Sequence, residues 1–163
     1  MQKEYTTCEI RKFLQQLFPH RQLVLSQFTF YNHIGVSKPS GSSFKRGRRC
    51  YKASDVLPIV VILALKEEGI PLKNLGDAVS KIQENISKIF DEGKATRLMG
   101  FGSHISLNIE GEINDTSAVD AFLADPAKKM LFWNIDVAAL AADLCAVIAG
   151  EVAMEERQRA YAA

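Results

Sequence analysis

Lys45-Arg46-Gly47-Arg48-Arg49-Cys50-Tyr51-Lys52 runs straight into Ala53-Ser54-Asp55-Val56, and these twelve residues organise the chain around them. Five cations surround one glycine and one tyrosine. Taken alone, such a run suits a solvated basic loop as well as a polyanion-binding surface. The wider charge distribution adds to it. Residues 1–52 carry 10 Lys/Arg against 2 Asp/Glu, a net +8, whereas the remaining residues sum to −7 and restore the overall +1. That asymmetry suggests a polyanion-binding face on an otherwise acidic body. With 163 residues, 47% hydrophobic and 24% charged, the chain has the composition of a globular protein and excludes disorder as its main state. Cys8, Cys50 and Cys145 are odd in number, far apart and without a C-x-x-C pair, so neither a disulfide framework nor a zinc ribbon is expected. The opening Met1-Gln2-Lys3-Glu4-Tyr5 has no apolar signal core. The longest apolar run, residues 56–65, is interrupted by Pro58 and too short to span a bilayer, so a soluble protein with no membrane partner is expected.

Upstream of the basic run, Thr6 or Thr7 is positioned to cap a first helix with Ile10, Phe13, Leu14 and Leu17 on one side, stopped by Pro19. Ser26 is the expected cap of a second short helix, ended by Gly35. Residues 37–49, rich in Ser, Gly and cations, read as an exposed loop or hairpin. Downstream, Ser54 caps a helix with Val56, Ile59, Val60, Leu63 and Ala64 inward, ended by Gly69. Pro71 opens another with Leu72, Leu75, Val79, Ile82, Ile86, Ile89 and Phe90 on a stripe closing at Gly93. The pattern then changes. Residues 103–109 alternate as a strand, residues 115–124 form a helix, residues 130–135 a second strand, and Asp136 caps a final Ala-rich helix with Val137, Leu140, Ala141, Leu144, Ile148 and Val152 on one stripe. The fold class expected is mainly α with small β, divided into residues 1–93 and an α+β module at residues 94–163.

The order short helix, turn, short helix, basic hairpin, helix, helix resembles the MerR-type winged helix-turn-helix of bacterial transcription regulators. Tyr5-Thr6-Thr7-Cys8-Glu9-Ile10 is similar to the family's opening helix. Gln27-Phe28-Thr29-Phe30-Tyr31-Asn32-His33-Ile34-Gly35-Val36 is similar to its second. Gly47-Arg48-Arg49-Cys50-Tyr51 followed by Asp55-Val56 resembles the end of its wing, and Gly69-Ile70-Pro71-Leu72 the turn beyond. The resemblance covers residues 5–79. Two departures stand out: the first two helices are separated by several additional residues around positions 18–23, and the family's Arg-Tyr-Tyr-Glu is replaced by Thr29-Phe30-Tyr31-Asn32. Residues 94–163 have no counterpart in the family.

The resemblance implies a DNA-binding transcription regulator that acts on a promoter or operator; the apolar stripes over residues 72–90 and 137–152 make a dimer the expected form, and no cofactor is expected. Ser26, Gln27, Thr29, Phe30 and Tyr31 are its expected helix contacts, and Lys38, Lys45, Arg46, Arg48, Arg49 and Tyr51 its wing contacts. Double-stranded DNA, a second copy of the chain and RNA polymerase are the expected partners, in the cytoplasm and associated with the nucleoid. Leu75, Val79, Ile82, Ile86, Leu140, Leu144 and Ile148 are the candidate dimer contacts. An enzyme is not expected. His20, His33 and His104 are scattered, no G-x-S-x-G, H-E-x-x-H or phosphate-binding glycine loop occurs, and Asp120, Asp125, Asp136 and Asp143 suit capping or solvated positions. Cys145 is expected to be a buried small residue. A core Trp133 and a strand-edge His104 are expected in preference to a ligand pocket. Two alternatives stay open: an excisionase-like architectural DNA-binding protein, and a small-molecule or protein-binding module in the C-terminal half.

Overall fold

Tyr5 and Thr6 form a short strand, β1 (Tyr5–Thr6), that local pattern does not predict. It pairs antiparallel with β2 (Cys50–Tyr51), Tyr5 opposite Tyr51 and Thr6 opposite Cys50. The structure, a computed structural model, describes residues 3–37, 39, 50–70, 75–125 and 130–162. Thr6 also caps α1 (Thr7–Leu17): its hydroxyl accepts from the Glu9 amide at 3.4 Å, and the Glu9 carboxylate accepts from the Thr6 amide at 2.6 Å. This capping box satisfies two otherwise orphaned donors. Ile10, Phe13 and Leu14 form the buried side, and the helix ends at Leu17, ahead of Pro19.

The second helix, α2 (Leu25–His33), starts two residues earlier than a Ser26 cap would allow. Val24 is its N-cap, and the Gln27 side chain accepts from the Val24 amide at 3.2 Å. The buried Leu23 anchors the chain just before this point, which leaves Ser26 inside the first turn. Gly35, at φ +78, ends the element in a conformation that glycine tolerates best. Likewise α3 (Ala53–Glu67) begins at Ala53, and Asp55 rather than Ser54 serves its N-terminus by accepting from the Lys52 amide at 2.9 Å. Its apolar residues are buried on every side, Leu57, Val61, Ile62 and Leu65 as well as the expected set, while Ala64 is half-exposed. A helix apolar all round is a core helix rather than an amphipathic one.

Among the described residues there are seven helices and two small sheets, about 57% helix and 16% strand. They form two compact units, Met1–Val60 with Ala142–Ala163, and Val61–Ala141. The boundaries fall inside α3 and inside the last helix.

In the second unit, the single helix expected over residues 71–93 is two, α4 (Leu75–Glu84) and α5 (Ile86–Phe90). Asn85 separates them, its amide donating to the Lys81 carbonyl at 2.9 Å and its oxygen accepting from Lys88 at 3.1 Å. Asparagine competes for backbone groups in this way and interrupts helices. Then β3 (Thr96–Phe101) and β4 (His104–Ile109) make a hairpin across Gly102 and Ser103, and β5 (Phe132–Asp136) adds to the other edge of β3, giving the antiparallel order β4-β3-β5. Strand β4 is expected from the alternation of its residues, and β3 is not. The Gly100 that obscures its pattern lies opposite Trp133 in β5, where a Cβ would run into the indole ring. Helix α6 (Ser117–Ala124) covers β3 and β4, its Phe122 ring held between Phe101 and Phe132 at 5.4 and 5.3 Å.

The chain closes with α7 (Val137–Ala162), whose first turn is capped by Asp136 accepting from the Ala139 amide at 2.9 Å. Val137, Ala141, Leu144 and Ile148 are buried, and Leu140 and Val152 half-buried. Cys145 is exposed, not buried as expected, because it lies one residue beyond the inward stripe. The stretch Val137–Met154 has a mean hydropathy of 1.9 and is 22% buried, so by length and composition alone it is able to cross a membrane. Alanine supplies much of that hydropathy, and Asp143 and Glu151 interrupt the stretch.

Candidate nucleic-acid interface

Strand β2 is where the basic run re-enters the described chain, since Cys50 follows Arg49 directly. Its pairing with β1 fixes that point beside the start of α1. Tyr51 then reaches α2: its ring is buried, and its hydroxyl accepts from the Asn32 amide at 2.6 Å. The chain that leaves the cationic run is therefore tied both to the cap of α1 and to the C-terminal turn of α2. Ser37, buried just after α2, adds a second tie by donating to the Asp55 carbonyl at 3.0 Å. The expected contacts Lys38, Lys45, Arg46, Arg48 and Arg49 lie outside the described residues.

Helix α2 sorts its own residues by side. Phe28 and Tyr31 are 2% and 5% exposed and pack inward, while Ser26, Thr29, Phe30, His33 and Ile34 face out. Phe30 is 58% exposed. Ser26, Thr29 and Phe30, expected at the interface, thus share its outer face. Tyr31 does not, because it falls on the side of Phe28 and belongs to the core of its unit. Gln27 is half-buried, with its side chain holding the helix N-terminus. Between α1, α2 and β2 lies a pocket of about 470 Å³, walled by Thr7, Cys8, Leu25, Phe28, Thr29, Asn32 and Tyr51. The Oδ1 of Asn32 is buried in this region and accepts no hydrogen bond among the described residues. Sequence reasoning passes over Asn32 because its partner is 19 residues away, and no local pattern marks the pair.

The candidate dimer contacts are placed differently. Val79, Ile82, Leu144 and Ile148 are buried in the chain's own core, Ile86 and Leu140 are half-buried, and Leu75 opens α4. Trp133 is half-buried against Gly100, and His104 is exposed at the start of β4.

The second unit holds a polar network that the sequence pattern does not foretell. Lys81 on α4 donates to Asp115 at 2.8 Å and to the Ile105 carbonyl at 2.7 Å. The buried Ser106 hydroxyl lies 3.3 Å from Asp115 and 3.0 Å from the Ser117 hydroxyl, and accepts from the Ala118 amide at 2.9 Å. Asn108 accepts from the Asp115 amide at 2.7 Å. Burial alone would raise the Asp115 carboxyl, but the hydrogen bonds from Lys81 and Ser117 outweigh it and hold the group at about 2. Every member has its partner within the network, which ties α4 and α6 to β4. Among the described residues, no group of three His, Cys, Asp or Glu is arranged to hold a metal ion. No protein-family model matches the chain, and no curated protein sequence matches it.

Proposed function

We propose that this protein is a DNA-binding transcription regulator, with a MerR-like winged helix-turn-helix in its first unit. Helix α2 is presented to the major groove, and the cations of residues 45–52 neutralise phosphates beside it. The observation that carries this reading is the Tyr51–Asn32 hydrogen bond, which joins the exit of the basic run to α2. A bacterial cytoplasm, a promoter or operator as target, and RNA polymerase as a further partner belong to the same reading.

Paired half-sites make a dimer the expected form. The second copy is assigned to the outward side of α7, because the inward stripe of that helix is already covered within the chain. Sedimentation over a concentration series tests this assignment, and a concentration-independent monomer overturns it.

The central test is binding of the full chain to labelled DNA over a salt series, against unlabelled competitor, with an Arg48→Ala/Arg49→Ala double variant alongside. With about five cations on phosphates, the logarithm of affinity should fall against log salt with a slope of about −4 to −5, and the double variant should reduce it by about 2. Saturable binding that survives competitor supports a regulator. Binding that competitor abolishes, accompanied by strong bending, supports an excisionase-like architectural role. No binding at low salt overturns the reading.

A further inference from the structure

We infer that Phe30 is a base-reading residue of α2 and that it recognises the C5-methyl groups of thymine, an inference that rests on the DNA-binding reading above. Position 30 lies at the middle of the outward face, flanked by Ser26, Thr29, His33 and Ile34, all exposed. Phe30 is 58% exposed, and its ring lies 6.1 Å from the Tyr31 ring. The core of the unit has no need of it, since Phe28 and Tyr31 already supply the inward side.

What α2 lacks narrows what it can read. From Leu25 to His33 there is no Lys, Arg, Asp or Glu. Guanine is read most often by a bidentate arginine and cytosine by a carboxylate, so α2 carries neither means. Adenine is read by Asn or Gln, but Gln27 accepts from the Val24 amide and Asn32 donates to Tyr51. Outward there remain two hydroxyls, which serve several bases, one imidazole, and the apolar Leu25, Phe30 and Ile34, of which Phe30 is the most exposed. The thymine methyl is the apolar group on the major-groove edge of B-DNA.

Charge selects the occupant. An apolar patch by itself suits a protein partner equally well, but residues 1–52 carry a net +8, and their densest run leads into the strand bonded to α2. The partner that satisfies both features is a polyanion bearing methyl groups in an open groove. Thymine-containing duplex DNA meets that description. RNA does not, because uracil lacks the methyl and the A-form major groove is too deep and narrow for side chains to read.

The test uses the full chain to select duplexes from a random-sequence pool. A recovered duplex is then made in two forms, with thymine or with deoxyuridine at every thymine position, and titrated with wild type, Phe30→Ala and Phe30→Leu. Wild type should bind the deoxyuridine form more weakly by about fourfold for each contacted methyl. Phe30→Ala should bind both forms alike, and Phe30→Leu should keep part of the preference. Comparing the two forms within each variant removes any general effect of uracil on duplex stiffness, and thermal melting reports that the variants are folded. Equal binding of both forms by wild type overturns the thymine reading, as does an undiminished preference in Phe30→Ala. Failure of wild type to retain any duplex overturns the DNA-binding reading itself, and the inference with it.

Discussion

Helices α2 and α6, of nine and eight residues, both combine apolar anchors with hydrogen bonds, but in different proportions. In the first unit, Phe28 and Tyr31 anchor α2 with apolar surface, the Asn32–Tyr51 hydrogen bond orients it, and its hydroxyls and Phe30 face out. In the second unit, Ser106, Asp115, Ser117 and Lys81 hold α6 and α4 to β4 through side chains that hydrogen-bond to one another. Apolar docking leaves the outer face of a helix chemically unassigned, and so available to a partner. A closed polar network engages its groups internally and fixes geometry instead. Under the proposed reading α2 is the interface, and the network of the second unit is a structural device.

The sharpest way to break this contrast lies within α2. Phe28→Ala should cost about 3–5 kcal/mol in urea unfolding, since it empties a buried site, whereas Phe30→Ala should cost less than about 0.5 kcal/mol. Similar costs would mean that both aromatics serve packing. Next in size, Gly100→Ala should destabilise the second unit by about 1–3 kcal/mol by driving a methyl into the Trp133 ring, with a shift in the fluorescence of this single tryptophan. A Trp133→Phe background should relieve part of that cost, and an unchanged cost would place the strain elsewhere.

The polar network makes a pH prediction. The Asp115 carboxyl is lowered in the folded protein, from 3.8 to about 2, so its contribution is fully present above pH 4 and is lost as pH falls towards 2. About a third of the Asp115 side chain is accessible, and screening by solvent reduces the contribution to about 1 kcal/mol. Asp115→Asn should therefore be less stable than wild type at pH 7, with the gap closing between pH 4 and pH 2. A gap that stays constant over this window would show that the charged form is not what holds α6. A smaller effect than at Asp115 is expected at the cap of α1, where Thr6→Ala should cost about 0.5–1 kcal/mol and Thr6→Ser should restore most of it. Full tolerance of alanine would mean that β1–β2 pairing holds the N-terminus without the cap.

Signals confined to a few neighbouring residues are legible in the amino-acid order itself. Thr6 with Glu9 marks the start of α1, Gly35 and Gly69 mark helix ends, the alternation of Ile105, Leu107 and Ile109 marks β4, and Asp136 marks the start of α7. Each depends on backbone geometry or on side-chain periodicity within one or two turns. The outward face of α2 is partly legible for the same reason, since Ser26, Thr29 and Phe30 share a side by helical spacing, whereas the burial of Tyr31 and the role of Gln27 are not.

The helical character, the +8 excess of the first 52 residues and most helix ends follow from composition and short-range stereochemistry. Tertiary structure alone decided the rest. It paired Tyr5 with Tyr51, joined Tyr51 to Asn32, and made a strand of residues 96–101 by setting Gly100 against Trp133. It also buried the apolar residues of α3 on every side. These outcomes depend on partners distant in the chain or on competition for the same buried volume, and no local pattern encodes which distant residue will arrive.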